Sequence, residues 1–337
     1  MLWSNFNATY NEATMGYHDN GKSDFSWISY QDRGWSVPAN VSYMESHDEE
    51  RLMYKNIQYG NSNGSYDIKD LSTALDREEI AGAFYFTIPG PKMIWQFGEL
   101  GYDISINYNG RTGNKPILWN YFDNQERRDI YNTWSKLIQL KLNYDIFKTS
   151  DFTLDVGNSN GLKTIHLTDE SATDIKYMTI IGNFGVTTQN INPNFQQTGT
   201  WYDLLNNNTT ITVNDVNSTI SLAPGEFKVY ADNQVNLSTN NIQPIDEKVI
   251  VYPNPTNNQW TVSSEDSKIT KIEVYDLKGN LVYSANPNLR ITKIDATNLS
   301  SGMYMLRAIT TEGIATSRIV KKPSCQTTTN SLPEHFF

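Results

Sequence analysis

The spacing of apolar positions changes character near residue 149. Before it, Leu71, Leu75, Ile80, Ala83 and Phe84 recur every three or four residues, with Asp76, Arg77, Glu78 and Glu79 between them. That period predicts a helix over 70–86, stopped by Pro89-Gly90-Pro91. Ile130, Trp134, Leu137, Ile138 and Leu140 form a second stripe and predict a helix over about 124–142. Short apolar runs at 41–44 and 92–97 precede the two helices, and this alternation predicts βαβ units with a parallel sheet. Beyond residue 149 the pattern shortens to alternating segments at 163–167, 177–182, 209–213 and 226–230, parted by Asn, Gly and Pro turns. An antiparallel β domain over 149–232 is expected. A polar, Asn-rich linker follows over 233–245, then a second small β unit over 246–322. The tail 323–337 has no pattern and is expected to be disordered. The fold class read from this pattern is α/β followed by all-β.

Composition narrows the partners. The 337 residues suit roughly two domains. Only 19% are charged, against a usual ~25%, and 38 Asn help fill the difference. Aromatics at 12% supply ample core, which excludes a wholly disordered chain. The net charge of −10 and the lack of any basic stripe make nucleic acid and anionic membranes poor partners. Neutral polar substrates fit better. The acidity lies ahead of the last β unit, where ten Lys/Arg outnumber eight Asp/Glu. No run approaches the ~18 apolar residues of a membrane span. Met1-Leu2-Trp3-Ser4-Asn5-Phe6 has neither a basic nor an apolar leader region, so a signal peptide is expected to be missing from the chain as given. The single Cys325 excludes an internal disulfide and a Cys-based zinc site.

The sharpest chemical signal is Tyr43-Met44-Glu45-Ser46-His47-Asp48-Glu49-Glu50-Arg51, where His47 and Asp48 stand together after a strand. A carboxylate fixed there can stabilise positive charge in an oxocarbenium-like transition state, and the imidazole can donate to a hydroxyl. On spacing alone the pair reads equally well as a surface ion pair. Trp27, Trp35, Trp95 and Tyr108 are candidates for stacking on sugar rings, although most Trp here belong to a core. His18 in Gly16-Tyr17-His18-Asp19-Asn20-Gly21 reads first as a turn residue and second as a sugar ligand; His166 reads as outward-facing, and His335 lies in the tail. Calcium is possible at Asn61-Ser62-Asn63-Gly64-Ser65 or 107–109, though neither follows the EF-hand pattern. No other cofactor is indicated.

The segment ending in His47-Asp48 resembles the fourth conserved region of the α-amylase family, glycoside hydrolase family 13. Two further stretches are similar to that family in the same order: Ile88-Pro89-Gly90-Pro91-Lys92-Met93-Ile94-Trp95-Gln96-Phe97-Gly98-Glu99 and Lys115-Pro116-Ile117-Leu118-Trp119. The resemblance implies a (β/α)8 barrel of which 1–148 holds about strands six to eight, then an antiparallel β-sandwich, domain C, over 149–232. It implies that Asp48 is the transition-state-stabilising carboxylate, that His47 binds sugar, and that the polymer is an α-glucan. The family's nucleophile sits in Gly-x-Arg-x-Asp, which this chain lacks, and its acid/base Glu has no match either. The expected function is therefore that of a fragment of a secreted, retaining α-1,4-glucan hydrolase, inactive as given. The alternatives are a glucan-binding secreted surface protein, or branching-type glucosyl transfer in a full-length relative. An inverting pair of Asp48 with Glu99 is a minor alternative.

The last unit carries Tyr252-Pro253-Asn254-Pro255, Val274-Tyr275-Asp276-Leu277-Lys278-Gly279, Leu299-Ser300-Ser301-Gly302-Met303-Tyr304 and Ile319-Val320-Lys321-Lys322. This series resembles the type A sorting domain of the type IX secretion system, a small immunoglobulin-like β-sandwich. It implies secretion to the cell surface or beyond, with the secretion machinery as a partner.

Overall fold

A computed structural model describes residues 2–235, 237, 249–265, 267–310 and 313–323. Most of the expected linker and nearly all of the tail, with His335 and Cys325, lie outside the described residues. Contacts divide the chain into two units, 1–237 and 238–337.

The first unit opens with β1 (Leu2–Asn5), α1 (Asn7–Met15), β2 (Asn40–Tyr43) and α2 (Leu52–Tyr59). A small hairpin, β3 (Ser62–Asn63) and β4 (Tyr66–Asp67), leads into α3 (Leu71–Phe86), β5 (Lys92–Met93) and α4 (Gln125–Asn143). Strands β1, β2 and β5 form a parallel sheet in that order, as the βαβ pattern predicts. Helices α3 and α4 match the two stripes, and Asn124 caps α4 by accepting the Arg127 N–H. The strand expected over 92–97 is shorter, because Phe97 turns left-handed (φ 64°) into a 3-10 turn. Helix α1 goes unpredicted because its buried face includes Asn7, Asn11 and Thr14, which no apolar period shows.

The chain continues through β6 (Asp151–Asp155), β7 (Leu162–Thr168), β8 (Tyr177–Asn183), β9 (Gln189–Ile191), β10 (Gly199–Asp203), β11 (Thr209–Val213), β12 (Ile220–Leu222) and β13 (Phe227–Ala231). Six of them form an antiparallel sheet, β11-β10-β13-β8-β7-β6, while β9 and β12 pair as a separate ribbon. Both faces of the large sheet are buried. Ile165, Ile180 and Val229 lie in register and join the core built with α3, including Ile80 and Phe84. Their alternating neighbours Leu162, Ile181 and Tyr230 join a second core with Ile191 and Leu222 of the ribbon. Residues on either side of position 149 thus share one apolar core.

The second unit holds β14 (Val249–Tyr252), β15 (Gln259–Ser264), β16 (Ile269–Tyr275), β17 (Leu281–Ala285), β18 (Ile291–Asp295), β19 (Gly302–Thr310) and β20 (Ile314–Lys321). They form two antiparallel sheets, β14-β15-β18 and β17-β16-β19-β20. Trp260, Val274, Ile294, Leu306 and Ile319 fill the core between them. Two motifs meet here: the Asn254 carboxamide donates to Arg318 O at 2.7 Å and accepts from Val320 N at 2.8 Å, extending the edge of β20. In the β16–β17 turn the Asp276 carboxylate accepts the N–H groups of Lys278 and Asn280, and Gly279 supplies the positive φ of 82°.

Candidate functional site

Tyr43 closes β2, and the chain leaves the parallel sheet at its carboxyl end, where α/β folds place ligands. Met44, Glu45 and Ser46 are buried; His47 and Asp48 then emerge with side chains 73% and 63% exposed. The turn is pinned at its base. Glu45 accepts the Leu52 N–H at 2.8 Å, and its other oxygen lies 3.7 Å from the Arg51 guanidinium. Burial pushes the Glu45 carboxyl up, and Arg51 pulls it back. Ser46 Oγ accepts the Asp48 N–H at 3.2 Å.

Two flanking segments hold the turn from the side. Asn7 at the start of α1 donates to the carbonyls of Met44 and Glu50, both at 2.8 Å, and Asn5 donates to Glu49 at 2.6 Å. The Glu50 carboxylate accepts Ser105 Oγ at 2.8 Å and the Ile106 N–H at 2.9 Å. On this frame the structure brings three residues together. The His47 and Trp95 rings lie 5.8 Å apart, and His47 Nε2 stands 3.7 Å from Asp48 Oδ2. Arg111, which the sequence does not single out, sits 3.8 Å from Asp48 Oδ1 and donates to the Asp48 carbonyl at 2.5 Å. Tyr108 is exposed in the same loop as Arg111, and its ring is not stacked on His47 among the described residues.

Beside Asp48 lies a polar cavity of about 380 Å³, lined among others by Asn7, Asn11, Glu50, Asn107 and Arg111. Asn11 donates to Asn7 Oδ1 at 2.8 Å, while its own Oδ1 is buried without a partner. Carboxamides, carboxylates and one guanidinium provide both donors and acceptors for hydroxyl groups. The i, i+4 spacing of Asn7 and Asn11 was visible, but only the unpredicted helix α1 gives it meaning.

Other candidates fall elsewhere. Glu99 lies close enough to Glu45 for its charge to act there, and burial raises its own carboxyl. His18 stands between the left-handed Gly16 that ends α1 and a short 3-10 turn at Asp19–Gly21, with its ring turned inward. It is buried, with Nδ1 2.8 Å from Ser23 Oγ and Nε2 2.9 Å from the Phe184 carbonyl. His166 is half-buried rather than outward-facing, with Nε2 2.8 Å from Pro193 O. Trp27 and Trp35 both flank the Arg33 guanidinium, at 5.6 and 5.3 Å. Asn61 uses its carboxamide on Gly16 O and the Ser62 N–H. Among the described residues no three His, Cys, Asp or Glu gather as a metal site.

Residues 250–322 match the model of the secretion system C-terminal sorting domain. The second unit carries a type IX sorting domain. Type IX secretion delivers its cargo to the cell surface or outside the cell, and no described helix is long and apolar enough to cross a membrane. No curated protein sequence matches the chain. Among solved structures it is similar to a pullulanase type I from Bacillus subtilis in complex with maltose, at 14% identity and TM-score 0.50, covering 68% of this chain and 35% of that one. An Anoxybacillus α-amylase matches at 15% identity and TM-score 0.49, covering 67% and 45%. AmyP in complex with maltose matches at 15% and 0.48, covering 68% and 50%. These neighbours are amylase-family glycoside hydrolases, and the likeness is one of fold. The chain spans half or less of the length of each of these three structures.

Proposed function

We propose that the first unit is the α-glucan-facing part of an amylase-type glycoside hydrolase: a partial barrel over 1–148, followed by domain C over 149–232. The observation that carries this reading is the placement of His47, Asp48 and Trp95 together at the carboxyl end of the parallel sheet, beside a polar cavity. In this reading Asp48 stabilises the positive charge that develops at the anomeric carbon, His47 donates to a sugar hydroxyl, and Trp95 and Tyr108 offer ring faces to glucose. Arg111 holds the Asp48 backbone and stands beside its carboxylate, orienting it.

The 337-residue chain binds glucan without cleaving it. Retaining hydrolysis needs a nucleophile and an acid/base roughly 5–5.5 Å apart. The carboxylates next to Asp48 are engaged, Glu49 with Asn5, and Glu50 with Ser105 and Ile106. Whether a full-length relative hydrolyses α-1,4 bonds with retention or transfers glucosyl units depends on groups this site does not supply. A glucan-binding secreted surface protein is the second reading, favoured by the same engaged carboxylates.

Titration of the chain with maltotriose should show saturable binding that Asp48→Asn and Trp95→Ala each weaken about tenfold, roughly 1.4 kcal/mol. No reducing sugar should be released. Turnover of maltooligosaccharide by this chain would overturn the non-catalytic reading. Binding retained by a fragment of residues 149–337 would place the glucan site elsewhere.

A further inference from the structure

At the opposite end of the parallel strands, an apolar cavity of about 510 Å³ opens between α3, α4 and the segment entering β5. Phe86, Ile138 and Phe147 line it, and the exposed side chains of Ile94 and Leu142 stand at its rim. Two lysines reach into this setting. Lys92 Nζ donates to the carbonyls of Ile88 and Gly90 at 3.0 and 3.1 Å, and Lys141 Nζ donates to the same Ile88 carbonyl at 2.8 Å. The two nitrogens therefore sit side by side over one oxygen. A protonated lysine has three N–H donors, so both retain unengaged donors. No Asp, Glu or His lines the cavity, and neither lysine has a carboxylate partner among the described residues.

Closing the carbonyls that follow α3 explains one lysine. It does not explain a second lysine at the same oxygen: charging both beside an apolar wall costs free energy unless an anion joins them. Burial pushes Lys92 down, with Lys141 adding repulsion, and burial holds Lys141 at about 7. The other titratable groups facing the pair are Lys148 and Tyr30 at the cavity wall and Tyr85, whose ring lies 5.7 Å from Lys92 Nζ.

We propose that this cavity binds an amphipathic monoanion, a carboxylate on an aliphatic chain, with its headgroup between Lys92 and Lys141 and its carbon body against Phe86, Ile138 and Phe147. The headgroup completes the donors of both ammonium groups, and the rim of Ile94 and Leu142 covers the chain. The site is separate from the His47–Asp48 end and does not depend on the glucan reading.

Titration calorimetry of the 337-residue protein with octanoate, 1-octanol and acetate tests this. One octanoate should bind per chain at pH 6.5, at least about tenfold more tightly than either comparator, as a charge-assisted hydrogen bond provides. Raising the pH to 9 should weaken octanoate about tenfold or more and leave octanol unchanged, since Lys141 then loses its proton. Lys141→Met should abolish the preference for octanoate over octanol while octanol still binds. Equal affinity of the wild-type protein for octanoate and octanol, or octanoate binding that is not saturable at one per chain, would overturn the proposal.

Discussion

His18 joins two distant stretches of chain through a neutral ring. The Phe184 carbonyl can only accept, so Nε2 carries the proton, and Nδ1 accepts from the Ser23 hydroxyl. Burial lowers the imidazole to about 4; the Phe184 carbonyl opposes this, and Lys163 and Arg77 add to it. An unfolded His titrates near ~6.5. Between those values the unfolded chain holds a proton that the folded one lacks, so stability rises with pH. The contribution is complete above pH 6.5 and is lost as the pH falls toward 4. His18→Gln is therefore expected to be less stable than the parent at pH 7.5, with the gap closing by up to about 3 kcal/mol by pH 4.5. Urea unfolding of both proteins at stepped pH measures this, and a constant gap would refute the neutral assignment.

At the scale of elements, α3 packs closely on α4 and on β8 because a glycine at each contact lets an aromatic ring approach. A Cβ at Gly82 would stand 2.2 Å from Trp134 Nε1, the group that donates to Glu78 O at 2.9 Å. A Cβ at Gly182 of β8 would stand 2.5 Å from the Phe84 ring. Gly82→Ala gains about 1 kcal/mol of helix propensity, yet overpacking typically costs about 1–3 kcal/mol. We expect a net drop in the thermal midpoint; a rise would show that α4 yields without strain. These contacts also explain what could be read from the chain. Helices α3 and α4 were legible because their buried faces are apolar and periodic, whereas α1 buries Asn7, Asn11 and Thr14. Strand β8 was legible as a strand, but its burial on both faces shows only once Ile180 and Ile181 are seen in different cores. His47 and Asp48 were legible as neighbours at a strand end. Asn7 and Arg111 were not, because their partners Met44 and Asp48 lie far along the chain.

At the scale of the whole molecule, contacts divide the chain after residue 237, and the two sides of position 149, where the hydrophobic period changes, are tied together within the first unit. Arg77, fully buried, shows why. Its guanidinium donates to the carbonyls of Ala13 and Thr14 at the end of α1, and to those of Phe184 and Gly185 beyond β8. Phe184 in turn packs its ring against Phe25 and Phe84, and Lys163 of β7 donates to Ser23 O at 2.7 Å. Residues from both sides of position 149 fill the largest shared core, while a second core lies wholly beyond it. Replacing Arg77 by Met removes a donor from four buried carbonyls, of which Phe184 O keeps His18 and Ala13 O keeps the Gly16 N–H, and the loss of such a cluster costs roughly 3 kcal/mol or more. The sorting domain fills its own core with Trp260, Val274, Leu306 and Ile319, all from within 249–323. Trp260 is also its sole Trp, and so reports on that unit alone. A fragment of residues 249–323 should therefore unfold in one cooperative transition by Trp260 fluorescence, while a fragment of residues 149–237 should show none. In the full chain, Arg77→Met should lower the transition of the first unit and leave that of the isolated sorting domain as its match. A cooperative transition from 149–237 alone would mean that this part of the first unit folds without the contacts made across position 149.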